Sequence, residues 1–220
     1  MTGHDSESYV KRLADRLRAI QNRRHPVVVG LTGPPGVGKS TLADHLVVEL
    51  STDQIAAYVP MDGFHLSNAQ LALLNKRNHK GAIDTFDAYG YLALLRRVRV
   101  ERDHTVFAPT FVRSAEEPIA ASIAIEPETS YVITEGNYLL SDISPWKEVR
   151  AELDEVWYLD LPAEIRRRRL RARHVKYGKS RPEANRWVLD VDEVNARQIE
   201  MSRNAADFVV DMSLIDPQKG

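Results

Sequence analysis

"GPPGVGKS", residues 33–40, satisfies G-x-x-x-x-G-K-[ST] at every fixed position. It follows the β-branched run "VVVGL" and leads into "STLADHLVVEL", whose apolar residues recur at helical spacing. A strand, a glycine-rich loop and a helix in that order are the context in which this pattern cradles phosphate. Gly33, Gly36 and Gly38 give the backbone freedom to close around phosphate oxygens. The donors run from Gly36 through Val37, Gly38 and Lys39 to Ser40, with Thr41 beside them in the first helical turn. Pro34 and Pro35 have no N–H to offer and stiffen the early loop. Lys39 is placed to reach the β- and γ-phosphates, and the Ser40 hydroxyl to meet Mg²⁺. The stretch predicts a nucleoside triphosphate site with Mg²⁺, a loop that GTPase switches, ATP-driven motors and small-molecule kinases share.

Outward from the loop, short buried runs alternate with helical patterns. "HPVVVGL", "AAYVPM", "SYVIT", "EVWYLDL" and "DFVVDM" read as five strands. "SESYVKRLADRLRAIQNRR" (6–24), "SNAQLALLNKRN" (67–78), "FDAYGYLALLRRVRV" (86–100), "PAEIRRRRLRARHVKYG" (162–178) and "RPEANRWVLDVDEVNARQIEMSRN" (181–204) read as helices. In the first of them Val10, Leu13, Leu17 and Ile20 form the apolar stripe. The proline-punctuated stretch 104–130 reads as a β-hairpin outside the main sheet. Buried strands separated by helices predict an α/β fold, a parallel sheet covered on both faces. No linker or repeat divides the chain, so 1–220 is read as one domain.

The 220 residues are 43% hydrophobic and 28% charged, with a net charge of −1, so no global field recruits nucleic acid or an anionic membrane. Cysteine is absent, which excludes disulfides, thiolate metal sites and cysteine nucleophiles. No signal-peptide core or membrane-length apolar run is visible, and the expectation is a soluble cytoplasmic protein. The seven histidines show no metal-ligand spacing. The sequence is compatible with a homodimer and does not fix the oligomeric state.

Two carboxylates stand at strand ends. "YVPMDGFHLSN" (58–68) carries Asp62, and "YVITEG" closes on Glu135. Parallel strands align their C-terminal ends along one edge, where ligands bind, so both acids should meet the phosphate loop. A carboxylate opposite the γ-phosphate can orient and deprotonate an attacking hydroxyl, and an acid beside the loop can hold Mg²⁺. A GTPase would show DxxG and then NKxD. Here "NKRN" (75–78) precedes "DAYG" (87–90), lacks the final aspartate, and neither follows a buried strand.

"MDGFH", "VITEG" and the phosphate loop together resemble the phosphoribulokinase/uridine kinase family of P-loop kinases. "KGAIDTFD" (80–87) is similar to a segment of the bacterial pantothenate kinases, and "SRNAADFVV" (202–210) to the family's adenine-pocket stretch. "DGFHLSN" looks most like the branch described as fructose-transport-system kinases. The resemblance implies a kinase with ATP and Mg²⁺ as cofactors, a five-stranded sheet in order 2-3-1-4-5, Asp62 as catalytic base, Glu135 as Mg²⁺ support, and a hydroxyl acceptor on a small molecule. Ile83 replaces the family proline, and Val112 stands where an acid is frequent, so the acceptor side departs from the family pattern.

"EIRRRRLRARHVKYGKS" holds six arginines between 166 and 173. Arg169 and Arg173 lie four apart and share a helix face. The run resembles the family's lid, here about 163–181, in which arginines neutralise charge on the transferring phosphoryl group. A solvated face and an RNA-binding stripe are the competing readings. His65, Lys80, Asp84, Arg113 and Tyr138 are the candidate acceptor contacts. The acceptor itself is read as a sugar such as fructose, with pantothenate or a nucleoside as alternatives. A nucleotide-dependent regulator or RNA-binding protein is the alternative of another class.

Overall fold

The structure is a computed structural model describing residues 3–20 and 26–215. Helix α1 (Gly3–Arg18) precedes strand β1 (Val27–Thr32) and helix α2 (Lys39–Leu50). Strand β2 (Ala56–Pro60), helix α3 (Asn68–Leu73) and helix α4 (Ala88–Val100) follow. Strands β3 (Val106–Val112) and β4 (Glu117–Ile125) form an antiparallel hairpin of their own. The chain continues through β5 (Tyr131–Glu135), α5 (Trp146–Ala151), β6 (Glu155–Asp160) and α6 (Ala163–Lys176). It then runs through α7 (Arg181–Trp187), α8 (Glu193–Glu200) and β7 (Phe208–Asp211).

The five main strands form one sheet in order β2-β5-β1-β6-β7, every neighbouring pair parallel. Numbered without the hairpin, that is the expected 2-3-1-4-5. Alternation along the strands divides the core in two. Val27, Val29, Leu31, Ile133, Trp157 and Leu159 face one cluster with α1 and α2. Val28, Val132 and Val156 face the other, with α4, α5 and the base of the hairpin. The strands therefore read as continuous apolar runs because both faces are covered.

Three helical expectations change. The pattern over 67–78 yields only α3, because Asn75 adopts φ +56° and turns the chain into a short 3-10 stretch. The long helix expected over 181–204 is divided by a π-helical stretch, Val188–Asp192, and ends at Glu200. Helix α5 was not foreseen; at six residues it is too short to show a period, and the burial of Trp146 and Val149 fixes it. The first helix ends at Arg18, and residues 21–24 of its predicted span lie outside the described residues. Among the described residues no helix is long and apolar enough to cross a membrane.

Arg99 ties α4 to the start of the sheet. Its side chain is 5% exposed and pairs with Asp154 at 2.9 Å, while also donating to the carbonyls of Pro26 and Glu152. Asp154 in turn accepts the Val28 amide at 2.8 Å. Removing one member of such a pair strands the other charge. Arg99→Ala should therefore lower unfolding free energy by about 3–5 kcal/mol in urea titration; a loss below about 1 kcal/mol would place the pair in the weak surface class.

Candidate active site

β1 delivers the phosphate loop. Gly36 has φ +79°, a left-handed conformation that favours glycine, and a Cβ there would lie 2.9 Å from the Arg166 carbonyl and from Leu170 Cγ. The loop is thus pressed under α6. The Val37 amide turns back to the Pro34 carbonyl (3.2 Å) and is committed within the loop. The amides of Lys39 and Ser40 open α2, where no preceding turn supplies a carbonyl partner. Lys39 Nζ donates to the Gly33 carbonyl at 2.8 Å. Burial pushes the Lys39 ammonium below its usual pKa, and the carboxylates of Glu135 and Asp62 pull it back up.

A cavity of about 520 Å³ opens over this loop. Pro35, Gly36, Gly38, Lys39, Ser40 and Thr41 line it, whereas Gly33, Pro34 and Val37 are buried and do not. Asp62, Glu135, Arg113, Arg169 and Arg173 complete the polar wall. Asn137, two residues beyond Glu135, also lines the cavity and was not picked out from the sequence.

Glu135 ends β5 with 5% exposure. Its Oε1 accepts from the Tyr58 hydroxyl at 3.0 Å and from Ser40 Oγ at 3.4 Å. Burial drives its carboxyl above the ordinary range, and the negative charge of Asp62 adds to the rise. A Ser hydroxyl and two carboxylates are hard oxygen donors, and a divalent cation would relieve the repulsion between the two acids. Among the described residues no trio of His, Cys, Asp or Glu could cage a metal unaided. The set fits Mg²⁺ carried in with a triphosphate, its coordination completed by phosphate and water.

Asp62 sits in a 3-10 turn, Met61–Phe64, that immediately follows β2. Its carboxylate lies 3.7 Å from Arg113 Nη2, which enters from the end of the hairpin. Gly63 permits that approach: a Cβ there would overlap the Pro109 carbonyl. His65 Nδ1 lies 2.8 Å from the Asp62 carbonyl, and its ring packs against Phe86 (4.1 Å) and Phe111 (4.7 Å). Burial pushes the imidazole below its usual pKa, which keeps it neutral at pH 7.

Of the candidate acceptor contacts, Arg113 alone lines the cavity. His65 stands behind Asp62 as described. Lys80 donates to Asn68 Oδ1 (2.8 Å) and to the Glu116 carbonyl, tying the 3-10 segment to the hairpin. Asp84 pairs with Lys76 at 2.7 Å. The Tyr138 hydroxyl donates to the Gly81 carbonyl (2.6 Å), and its ring packs on Trp146 in the core.

Helix α6 sorts its arginines by face. Arg166 is 2% exposed and bonds Glu193 (3.1 Å), Glu200 (3.2 Å) and the Pro35 carbonyl (3.4 Å). Arg167 also pairs with Glu193, at 2.7 Å. Arg169 donates to the Val37 carbonyl at 3.4 Å. Arg173 reaches the cavity further along, its guanidinium disfavoured first by burial and then by Arg113. Arg168 and Arg171 are exposed.

No family model matches the chain. A Schizosaccharomyces pombe protein provisionally named a uridine kinase is 32% identical over 204 residues, 88% of this chain and 87% of that one. The Escherichia coli protein YggC is 34% identical over 212 residues, 94% of this chain and 87% of its own length. The crystal structure of a Silicibacter protein, provisionally named a fructose transport system kinase, superposes with a TM-score of 0.83 at 34% identity. That likeness covers 91% of this chain and 98% of the Silicibacter chain. With the phosphate loop, the strand-end acids and the sheet order in place, the chain belongs to the uridine kinase-like family of P-loop kinases and is an ATP-dependent kinase.

Proposed function

We propose that this kinase transfers the γ-phosphoryl group of ATP, in the presence of Mg²⁺, to a hydroxyl of a small metabolite, with a sugar such as fructose as the first candidate. One observation carries the reading: Asp62 and Glu135 enter a single cavity over the phosphate loop in unlike surroundings. Glu135 is buried and held by two hydroxyl donors, while Asp62 is about one-third exposed with Arg113 beside it. Two acids in unlike settings suit two tasks.

Lys39 and the loop amides hold the triphosphate, and Ser40 with Glu135 faces the metal. Bound there, Mg²⁺ would neutralise charge on the β- and γ-phosphate oxygens. Asp62 accepts the proton of the acceptor hydroxyl as its oxygen bonds the γ-phosphorus. The bond from that phosphorus to the β,γ-bridging oxygen breaks, and ADP leaves. Arg169 and Arg173, on a lid formed by residues 163–181, balance the charge on the transferring group. The whole chain acts as one catalytic unit, and its lack of cysteine suits the reducing cytoplasm.

The sugar assignment is supported by the likeness to the Silicibacter protein, and the name of the S. pombe relative keeps a nucleoside in view. The RNA-binding reading is weakened by the sorting within α6: two arginines are engaged by Glu193 and two line the cavity, which leaves Arg168 and Arg171 as the exposed pair.

Steady-state ADP release against sugars, nucleosides, pantothenate and other small alcohols tests the proposal. One acceptor should stimulate turnover, and Asp62→Ala should lower it about 10²–10⁴-fold with ATP still bound. Acceptor-stimulated turnover that survives Asp62→Ala would remove the base assignment. No acceptor-stimulated turnover at all, with RNA bound in a salt-sensitive manner, would favour the regulator.

The raised pKa of Glu135 predicts a stability effect. Ionising it is harder in the folded protein than in the unfolded chain, so its contribution to stability is full below about pH 4.5 and is lost as pH rises through the higher folded value. Gln at 135 keeps an acceptor oxygen for Tyr58 and Ser40 and carries no charge. In EDTA, Glu135→Gln should raise the thermal midpoint at pH 7.5, with the difference closing towards pH 4. A lower midpoint at pH 7.5 would contradict it.

A further inference from the structure

Tyr58 has no place in the chemistry so far, yet its hydroxyl is the nearer of the two donors on Glu135 Oε1, 3.0 Å against 3.4 Å for Ser40. The placement follows from strand register. Pro60 pairs with Glu135 across β2 and β5, and Tyr58 pairs with Ile133, so Tyr58 lies one step down the same sheet face as Glu135. Its ring packs into the α2-side core, while the phenol is long enough to reach the carboxylate above.

We infer that Tyr58 is a positioning residue for the metal side of the active site, fixing which Glu135 oxygen is available to the Mg²⁺ that accompanies ATP. The inference rests on the proposed metal-facing role of Glu135 and Ser40. With Oε1 taken by Tyr58 and Ser40, Oε2 accepts no hydrogen bond from any described residue and is the oxygen left for a cation or its water. The same arrangement turns the Ser40 proton towards Glu135 and leaves the Ser40 lone pairs for the metal. Without the phenol, Oε1 would keep only the longer Ser40 bond, and the carboxylate would be free to rotate. Partners that orient metal ligands typically change metal affinity about 10–100-fold when removed.

Tyr58→Phe keeps the ring and deletes the hydroxyl. Mn²⁺ would be titrated into the protein with a non-hydrolysable ATP analogue and read by electron paramagnetic resonance, with Glu135→Gln run in parallel. Affinity for the analogue alone would be measured in EDTA. The expected result is Mn²⁺ affinity lowered about 10–100-fold in the ternary complex, with metal-free nucleotide affinity unchanged. If Glu135→Gln weakens Mn²⁺ binding and Tyr58→Phe does not, the positioning role is overturned while the metal reading stands. If neither variant changes it, both fall together. If Tyr58→Phe also loses metal-free nucleotide affinity, Tyr58 supports the loop in general and the specific role is wrong.

Discussion

The site depends on the register of three parallel strands. β5 lies between β1 and β2, and Glu135 pairs with Leu31 on one side and Pro60 on the other. That single row across the sheet puts the start of the phosphate loop, the Glu135 carboxylate and the turn bearing Asp62 within two residues of one line. A one-residue slip would send every strand side chain to the opposite face. The two-sided core resists such a slip, because Val27, Val29 and Leu31 must meet α2 while Val28 meets α4. Packing of the sheet, far below the cavity, is what sets the separation of the two acids.

The same edge concentrates charge where water is scarce. Glu135 is buried beside Asp62, and burial also disfavours the charged forms of Lys39 and Arg173. Burial thus works against the charged forms of Lys39, Glu135 and Arg173 alike. Hydroxyl donors from Tyr58 and Ser40 and the short bond from Lys39 to the Gly33 carbonyl hold the arrangement together. A triphosphate over the loop would offer Lys39 a charge-assisted partner stronger than that carbonyl.

The sequence carries the sheet and the phosphate loop openly, since both depend on local pattern: β-branched runs, glycines at fixed offsets and a helix start. The strand-end acids are also legible, because parallel topology converts "follows a buried strand" into "faces the ligand edge". The acceptor side is not. Lys80, Asp84 and Tyr138 do not line the cavity, and their partners are Asn68, Lys76 and Gly81, chosen by how the 3-10 segments fold back on the hairpin. Tyr58 was hidden for the opposite reason: in a buried strand a tyrosine reads as core, and only cross-strand register reveals the hydroxyl's target. The π-helical stretch at Val188–Asp192 had no sequence signal, and it delivers Asp192 to His174 at 2.7 Å.

Helix α6 shows why composition alone could not assign its arginines. Arg166, Arg169, Leu170 and Arg173 follow the spacing of an inward stripe, so the face that meets the phosphate loop is mostly cationic rather than apolar. A buried cation is tolerated when paired, and Arg166 has Glu193 and Glu200. Arg173 is offset more weakly, by Asp192, Asp62 and Tyr177, with Arg113 opposing. Its charged form is thus disfavoured where it stands, half-buried over the loop. An anion over the loop would offset that burial, because Arg173 lines the same cavity as Lys39 and Arg169. Arg166 anchors the helix to the loop while Arg173 lines the cavity, two settings for one residue type separated by seven positions on one face.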